Sequence, residues 1–165
     1  MRESLAKQAS LDLLTGLYNH VTGELLIKNK IDDGIYSDSA FIIFDIDKFK
    51  LVNDTYGHYF GDCVLQCVAA RLKESVREDS DIAIRYGGDE FIVITPKEEV
   101  NEFIAKFKKL LSEFNDHKEF PSKIDVSIGV SEFTVNSEIN MEYIINTADK
   151  LMYEKKKLKK RNSNK

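Results

Sequence analysis

The apolar residues of this chain fall into a few patterns, each pointing to an element. Phe41-Ile42-Ile43-Phe44 is an unbroken apolar run, which predicts a strand over Ala40–Asp45 buried on both faces. Val100, Phe103, Ile104, Phe107, Leu110, Leu111 and Phe114 recur at near-ideal helical spacing and predict a helix over Glu98–Phe114, whose aromatics core packing explains without a flavin or haem. Val64, Leu65, Val68 and Leu72 make a narrower stripe along a helix over Gly61–Val76. Two β-like runs, Ile82–Arg85 and Phe91–Thr95, flank Gly87-Gly88 and read as a hairpin. Between these lie weaker signals. Residues 1–10 read as the end of a helix, Asp12–Asn19 as a turn-rich junction, and Val21–Ile31 as a helix broken by Asp32-Asp33-Gly34. Phe49–Thr55 reads as a short helix ended by Tyr56-Gly57-His58, Lys123–Phe133 as a strand, and Met141–Lys160 as a final helix. The order βααββαβ, with a hairpin in its middle, predicts an α/β sandwich of the α+β kind with a mostly antiparallel sheet. No repeat or low-complexity linker divides it. The expected organisation is a helical lead-in over 1–10, one domain over 11–161 and a tail over 162–165.

Acidic residues stand where two of these strands meet their turns. Asp45 ends the first apolar strand, and Asp89 and Glu90 open the second arm of the hairpin. Carboxylates at such places can face water at a hairpin tip or cap the next helix. Two acidic strand ends can also converge on one cation. Mg²⁺ and similar hard ions take oxygen ligands, commonly one or two carboxylates completed by substrate phosphates. No G-x-x-x-x-G-K-[ST] occurs, so the pair suggests a nucleotide–metal site built without a P-loop.

Composition narrows the setting. A chain of 165 residues with 42% hydrophobic content suits one domain with a real core. No apolar run reaches the roughly 18 residues of a membrane span, and Met1–Gln8 lacks the apolar core of a signal peptide, so a cytoplasmic protein is expected. Cys63 and Cys67 sit four apart among apolar neighbours and read as small helix residues in a reducing compartment. The net charge of −4 is uneven: residues 150–165 hold eight Lys or Arg and one Glu, leaving −11 on the remainder. Such a basic end suits a helix C-terminus or phosphate contact. So acidic a remainder excludes duplex nucleic acid as a natural partner.

Five blocks together carry a resemblance. Arg85-Tyr86-Gly87-Gly88-Asp89-Glu90-Phe91 resembles the signature of the GGDEF family, the diguanylate cyclase domains. Asp12–Asn19 resembles the family's D-x-L-T-G-L-x-N, and Asp45–Asp62 its D-x-D-x-F-K-x-x-N-D-x-x-G-H-x-x-G-D. Asp125–Val130 resembles its S-x-G-V strand, and Ala148–Tyr153 its A-D-x-x-(L/M)-Y helix. The blocks stand in the family's order from about Leu11 to Arg161.

The resemblance implies a ferredoxin-like palm, as in nucleotidyl cyclases. It implies condensation of two GTP into cyclic di-GMP with release of pyrophosphate, helped by Mg²⁺ or Mn²⁺. Asp45, the Ile46 carbonyl and Asp89 are then metal ligands, and Glu90 either takes the 3′-hydroxyl proton or holds a second metal. Gly87 and Gly88 allow close backbone approach of the nucleotide. The backbone of Lys48 and Phe49 and the side chain of Lys50 form a phosphate cradle at a helix start. Asn53 and Asp62 read guanine, with helix capping as their plainer role. Lys156 and Lys160 reach phosphates, although the family's K-x-x-G-R lacks its glycine here and Lys160 or Arg161 stands for the arginine. The family's R-x-x-D product site is also altered: Asp81 fits, Glu78 occupies the arginine position, and Arg77 is one residue out of register.

The expected partner is a second copy of the chain, since the product is two-fold symmetric. The control signal is expected from an input domain outside these residues or from dimerisation in trans. An inert GTP-binding module that regulates a partner is the second reading, and an RNA-binding module of similar layout is a distant third.

Overall fold

The computed structural model describes residues 10–32, 38–134 and 141–164; the predicted lead-in over 1–10 lies, apart from Ser10, outside them. In chain order the elements are α1 (His20–Asp32), β1 (Asp38–Ile46), α2 (Phe49–Tyr56), α3 (His58–Ser75), β2 (Ile82–Arg85), β3 (Glu90–Pro96), α4 (Val100–Asp116), β4 (Val126–Thr134) and α5 (Met141–Ser163), with a 3₁₀ turn at Lys97–Glu99 before α4. The four strands form one sheet in the order β2-β3-β1-β4, and all three pairings are antiparallel. The predicted α+β sandwich is the observed class.

Side chains alternate across a strand, so β1 feeds two cores. Ala40, Ile42, Phe44 and Ile46 pack with Val64, Val68 and Leu72 of α3 and with Phe103, Phe107 and Leu111 of α4. Phe41 and Ile43 pack on the other face with Ile27 of α1 and with Ile145 and Met152 of α5. Phe107 meets Phe44 edge-on, 5.0 Å between ring centres. A buried phenylalanine of this kind contributes about 3–5 kcal/mol against alanine. Helix α1 lies close on β2 because Gly23 carries no Cβ: one there would strike Ile84. Cys63 and Cys67 are free thiols on α3, and burial pushes the Cys67 thiol up.

The alternation decides what happens at the sheet's end. Asp45 shares the parity of Phe41 and Ile43, and Glu90 that of Ile92 and Ile94. Both carboxylates therefore lie on the α5 face, just past the last apolar layer. The opening turn closes the outer edge of β2: Tyr18 bridges Ile84, and the Arg85 amide donates to the Tyr18 carbonyl at 2.9 Å. An edge strand covered in this way is blunted against pairing with other chains.

Two of the boundaries that depart from the sequence expectation have a visible cause. Helix α3 starts at His58 rather than Gly61, because Gly57 at φ +90° both ends α2 and turns the chain straight into α3. Strand β4 starts at Val126 rather than Lys123. The Asn115 side chain accepts from the Ile124 amide at 2.9 Å and donates to its carbonyl at 3.0 Å, taking the groups a strand would use.

Candidate active site at the acidic end of the sheet

Asp45 and Glu90 are opposite each other in the β1–β3 register, and the Ile46 amide donates to the Asp89 carbonyl at 3.2 Å. Antiparallel pairing thus brings the end of one strand and the start of another to one spot. Asp45 is 6% exposed. Burial, with Asp89 beside it, pushes its carboxyl up to about 6, against the pull of Lys156. Glu90 is also raised, first by burial and then by the charges of Asp149, Asp45 and Asp89. Crowding several carboxylates where water is scarce is unfavourable unless a cation shares the space.

One cation is supplied from α5. Lys156 Nζ lies 2.7 Å from Asp45 Oδ1. That ammonium is the main influence holding the Asp45 carboxyl down against its burial. One turn on, Lys159 Nζ lies 2.6 Å from Asp47 Oδ2 and donates to the Val126 carbonyl at 3.1 Å, while Ser127 Oγ donates to Asp47 Oδ1 at 2.6 Å. Among the described residues no three His, Cys, Asp or Glu side chains cluster as a complete metal set. A hard cation held here would draw its remaining oxygens from backbone and substrate, which is the usual habit of Mg²⁺. An oxygen that already attracts an ammonium is the right donor for one.

The hairpin tip beside these carboxylates is held by side chains. Arg85 donates to the Gly88 carbonyl at 2.9 Å and to both Asp12 oxygens at 3.1 and 3.2 Å. Asp12 also accepts from the Thr15 amide and hydroxyl at 2.8 and 2.6 Å. Burial raises the Asp12 carboxyl, but Thr15 and Arg85 outweigh it and leave it below its ordinary value. Neither Gly87 nor Gly88 has a positive φ. A Cβ at Gly88 would meet nothing within 4 Å, and one at Gly87 only ordinary contact with Glu90. Nothing among the described residues requires these glycines.

A family model described as "Diguanylate cyclase, GGDEF domain" matches residues 9–163. The chain belongs to the GGDEF family. It is 34% identical over 168 residues to diguanylate cyclase VdcA of Vibrio cholerae, covering 96% of this chain and 48% of that one. It is 33% identical over 156 residues to diguanylate cyclase DgcZ of Escherichia coli, covering 92% and 52%. The chain thus spans about half the length of these curated relatives. Among solved structures, the GGDEF domain of DgcB from Caulobacter crescentus in complex with c-di-GMP superposes with a TM-score of 0.73 at 27% identity, covering 90% of this chain and 91% of that one. The diguanylate cyclase SiaD of Pseudomonas aeruginosa, in complex with its activator SiaC, shares the fold at a TM-score of 0.80 and 23% identity, covering 94% and 61%.

The remaining predicted residues of this GGDEF domain stand on or next to α2, α3 and α5. Lys48 precedes α2 in a left-handed conformation, φ 56°, with no side-chain cap on the helix start. Phe49 is partly buried against the core, and Lys48 and Lys50 are exposed. Asn53 on α2 packs against Gly61 on α3 so closely that a Cβ there would collide with Asn53 Oδ1. The α2–α3 elbow therefore sets Asn53 next to the residue before the exposed Asp62. Lys160 is exposed, and Lys159 reaches the acidic end through Asp47.

Sequence reasoning passed over Lys159, Asp149 and the Asp12–Arg85 pair. The second aspartate of D-x-D and the serine of the late strand were signals for a partner at Lys159. The aspartate of the A-D helix was a signal for Asp149, whose Oδ1 is buried without a hydrogen-bond partner among the described residues. Arg85→Ala would release the Gly88 carbonyl and leave Asp12 short of its ion-pair partner. The expected loss is about 1–3 kcal/mol of stability, read as a lower thermal midpoint. An unchanged midpoint would show that the clamp is unimportant.

Proposed function

We propose that this GGDEF domain condenses two GTP molecules into cyclic di-GMP, releasing pyrophosphate from each. The observation that carries the reading is the buried Asp45 beside Asp89 at the sheet's end, pushed up to about 6 and already paired with an ammonium. In the reaction each 3′-hydroxyl attacks the other nucleotide's α-phosphorus. A new P–O bond forms, the bond to the β-phosphate breaks, and pyrophosphate leaves with the electron pair. Asp45, Asp89 and the Ile46 carbonyl are the residues proposed to hold Mg²⁺ or Mn²⁺, which when bound supplies charge neutralisation on the α-phosphate. Glu90, whose carboxyl is raised by burial and by its acidic neighbours, suits the role of taking the 3′-hydroxyl proton, or of lending a further oxygen to metal.

The rest of the site binds and orients. Gly87 and Gly88 are glycines without an internal reason, which fits an approach of nucleotide to backbone. The uncapped start of α2 at Lys48 and Phe49, with Lys50, offers amides and charge to phosphates, as do Lys156 and Lys160. Asp62 and Asn53 are assigned to guanine, whose N1–H and N2–H₂ donors a carboxylate can accept. Adenine would set its N1 lone pair against that carboxylate. Unpaired polar groups of this sort cost about 1–3 kcal/mol, so Asp62→Ala is expected to lower kcat/KM for GTP about 10- to 100-fold and to leave ATP nearly unchanged. Gly61→Ala should act in the same direction by displacing Asn53. Equal use of GTP and ATP by the unaltered protein would refute the assignment. Retention of Asp45, Asp89 and Glu90 favours an active enzyme over an inert GTP-binding module, and a GTP turnover assay separates the two.

Product inhibition is expected to be weak. Asp81 is 8% exposed and committed: it accepts from the Arg77 amide at 2.8 Å and pairs with the Arg77 guanidinium at 3.3 Å, which also meets Glu99 at 3.0 Å. The turn thus lets Arg77 reach Asp81 despite its register, but into an internal network, while Glu78 adds a repulsive charge. Calorimetry should find cyclic di-GMP at least about tenfold weaker than a charge-assisted arginine contact would give. Submicromolar binding removed by Asp81→Ala would overturn this.

A further inference from the structure

The two lysines that tie α5 to the acidic end of the sheet differ in kind. Lys159 belongs to a closed set: its ammonium meets Asp47 Oδ2 and the Val126 carbonyl, and the other Asp47 oxygen takes the Ser127 hydroxyl. Lys156 has one short polar contact among the described residues, the ion pair at 2.7 Å with Asp45 Oδ1, on a carboxylate that also has Asp89 beside it. Lys159 is therefore held by two acceptors, whereas Lys156 rests on one oxygen.

The geometry points to Lys156 as a tethered counter-ion that a divalent cation displaces from Asp45, with Lys159 as the positioning residue that keeps α5 in place when it leaves. This rests on the reading of Asp45 as a metal carboxylate. An ammonium and a divalent ion cannot share that oxygen, because their like charges at contact distance repel strongly in a half-buried site. Coupling of this kind is reciprocal: the metal loosens Lys156 by the factor by which Lys156 weakens the metal. Lys156 sits three residues from Lys159 on a helix already held to the sheet, so its displaced ammonium stays at the same end of the sheet. Bare divalent ions meet its competition. A metal–nucleotide complex instead offers the ammonium a polyphosphate to move to. The same side chain thus opposes metal alone and favours metal with nucleotide.

That reversal of sign is the test. Mn²⁺ binding is measured by calorimetry on the full chain after chelator treatment, first alone and then with α,β-methylene-GTP. Lys156→Gln is expected to tighten Mn²⁺ alone by about tenfold and to weaken the Mn²⁺–analogue complex by a similar factor. Lys160→Gln removes the same charge from an exposed neighbour and should shift Mn²⁺ alone by less than about twofold. Lys159→Gln should weaken the analogue complex without tightening Mn²⁺ alone, and Lys159→Arg should restore it. Acylation of the Lys156 amine, followed by mass spectrometry, should quicken severalfold when Mn²⁺ is added. Equal shifts in Lys156→Gln and Lys160→Gln, or an acylation rate indifferent to Mn²⁺, would overturn the displacement. If Asp45→Asn abolishes Mn²⁺ binding and Lys156→Gln leaves it unchanged, the displacement alone falls. If Mn²⁺ binding survives Asp45→Asn, the metal assignment falls and takes the displacement with it.

Discussion

Asp45→Asn and Asp89→Asn are each expected to reduce GTP turnover by about 10³-fold or more, the scale seen when a preorganised charge is removed from a reacting centre. The fold should survive both. Asp45 is buried in its charged form at an energetic cost, as its raised pKa of about 6 records, so an asparagine removes an unfavourable group rather than a support. The sign of the pH dependence follows. Between the ordinary carboxylate range near 4 and the folded value near 6, the folded chain holds a proton on Asp45 that the unfolded chain has lost. Stability from this group therefore falls as pH rises across that window. In chelator, the thermal midpoint of Asp45→Asn should match or exceed that of the unaltered chain at pH 7.5, with the advantage shrinking toward pH 4.5. Turnover of the unaltered chain should fall on the acid side, since a protonated Asp45 is a poor cation ligand. Normal rates in either asparagine variant would sink the metal assignment, and a collapsed midpoint in Asp45→Asn would contradict the account of its burial.

Much of this fold was legible because periodicity and burial coincide. Phe41-Ile42-Ile43-Phe44 reads as a doubly buried strand, and each of its side chains is fully buried. The helix stripe from Val100 to Phe114 lands on one core. Boundaries were less legible, because distant side chains set them: no local signal shows that Asn115 takes both backbone groups of Ile124. The candidate site divides in the same way. Carboxylates at strand ends could be read from the motifs and the alternation, since parity dictates which face they join. The choice among basic residues could not. Lys155-Lys156-Lys157-Leu158-Lys159-Lys160-Arg161 places a cation at nearly every angle around α5. Only the path of that helix over β1 and β4 puts Lys156 on Asp45 and Lys159 on Asp47. The hairpin glycines were read correctly as a turn, yet neither has a positive φ, so a left-handed backbone is not what they supply there.

Dilution is expected to silence the isolated chain. Each chain carries one acidic sheet end and one Asn53–Asp62 elbow, which together are the place proposed for one GTP. The proposed product contains two guanylates joined by two identical linkages. Both bonds require two sites to face each other, each offering its nucleotide's 3′-hydroxyl to the other's α-phosphate. The reaction is then second order in protein until the chains are paired. Below the dimer dissociation constant, a tenfold dilution should lower the rate per chain nearly tenfold; above it the rate per chain should level off. Joining two copies through a flexible linker would replace bulk concentration by an effective concentration in the millimolar range, so the fused protein should hold its specific activity on dilution where the single chain loses it. Sedimentation alongside the assay supplies the fraction paired. A specific activity independent of concentration, from a chain shown to be monomeric throughout, would refute the requirement for two sites.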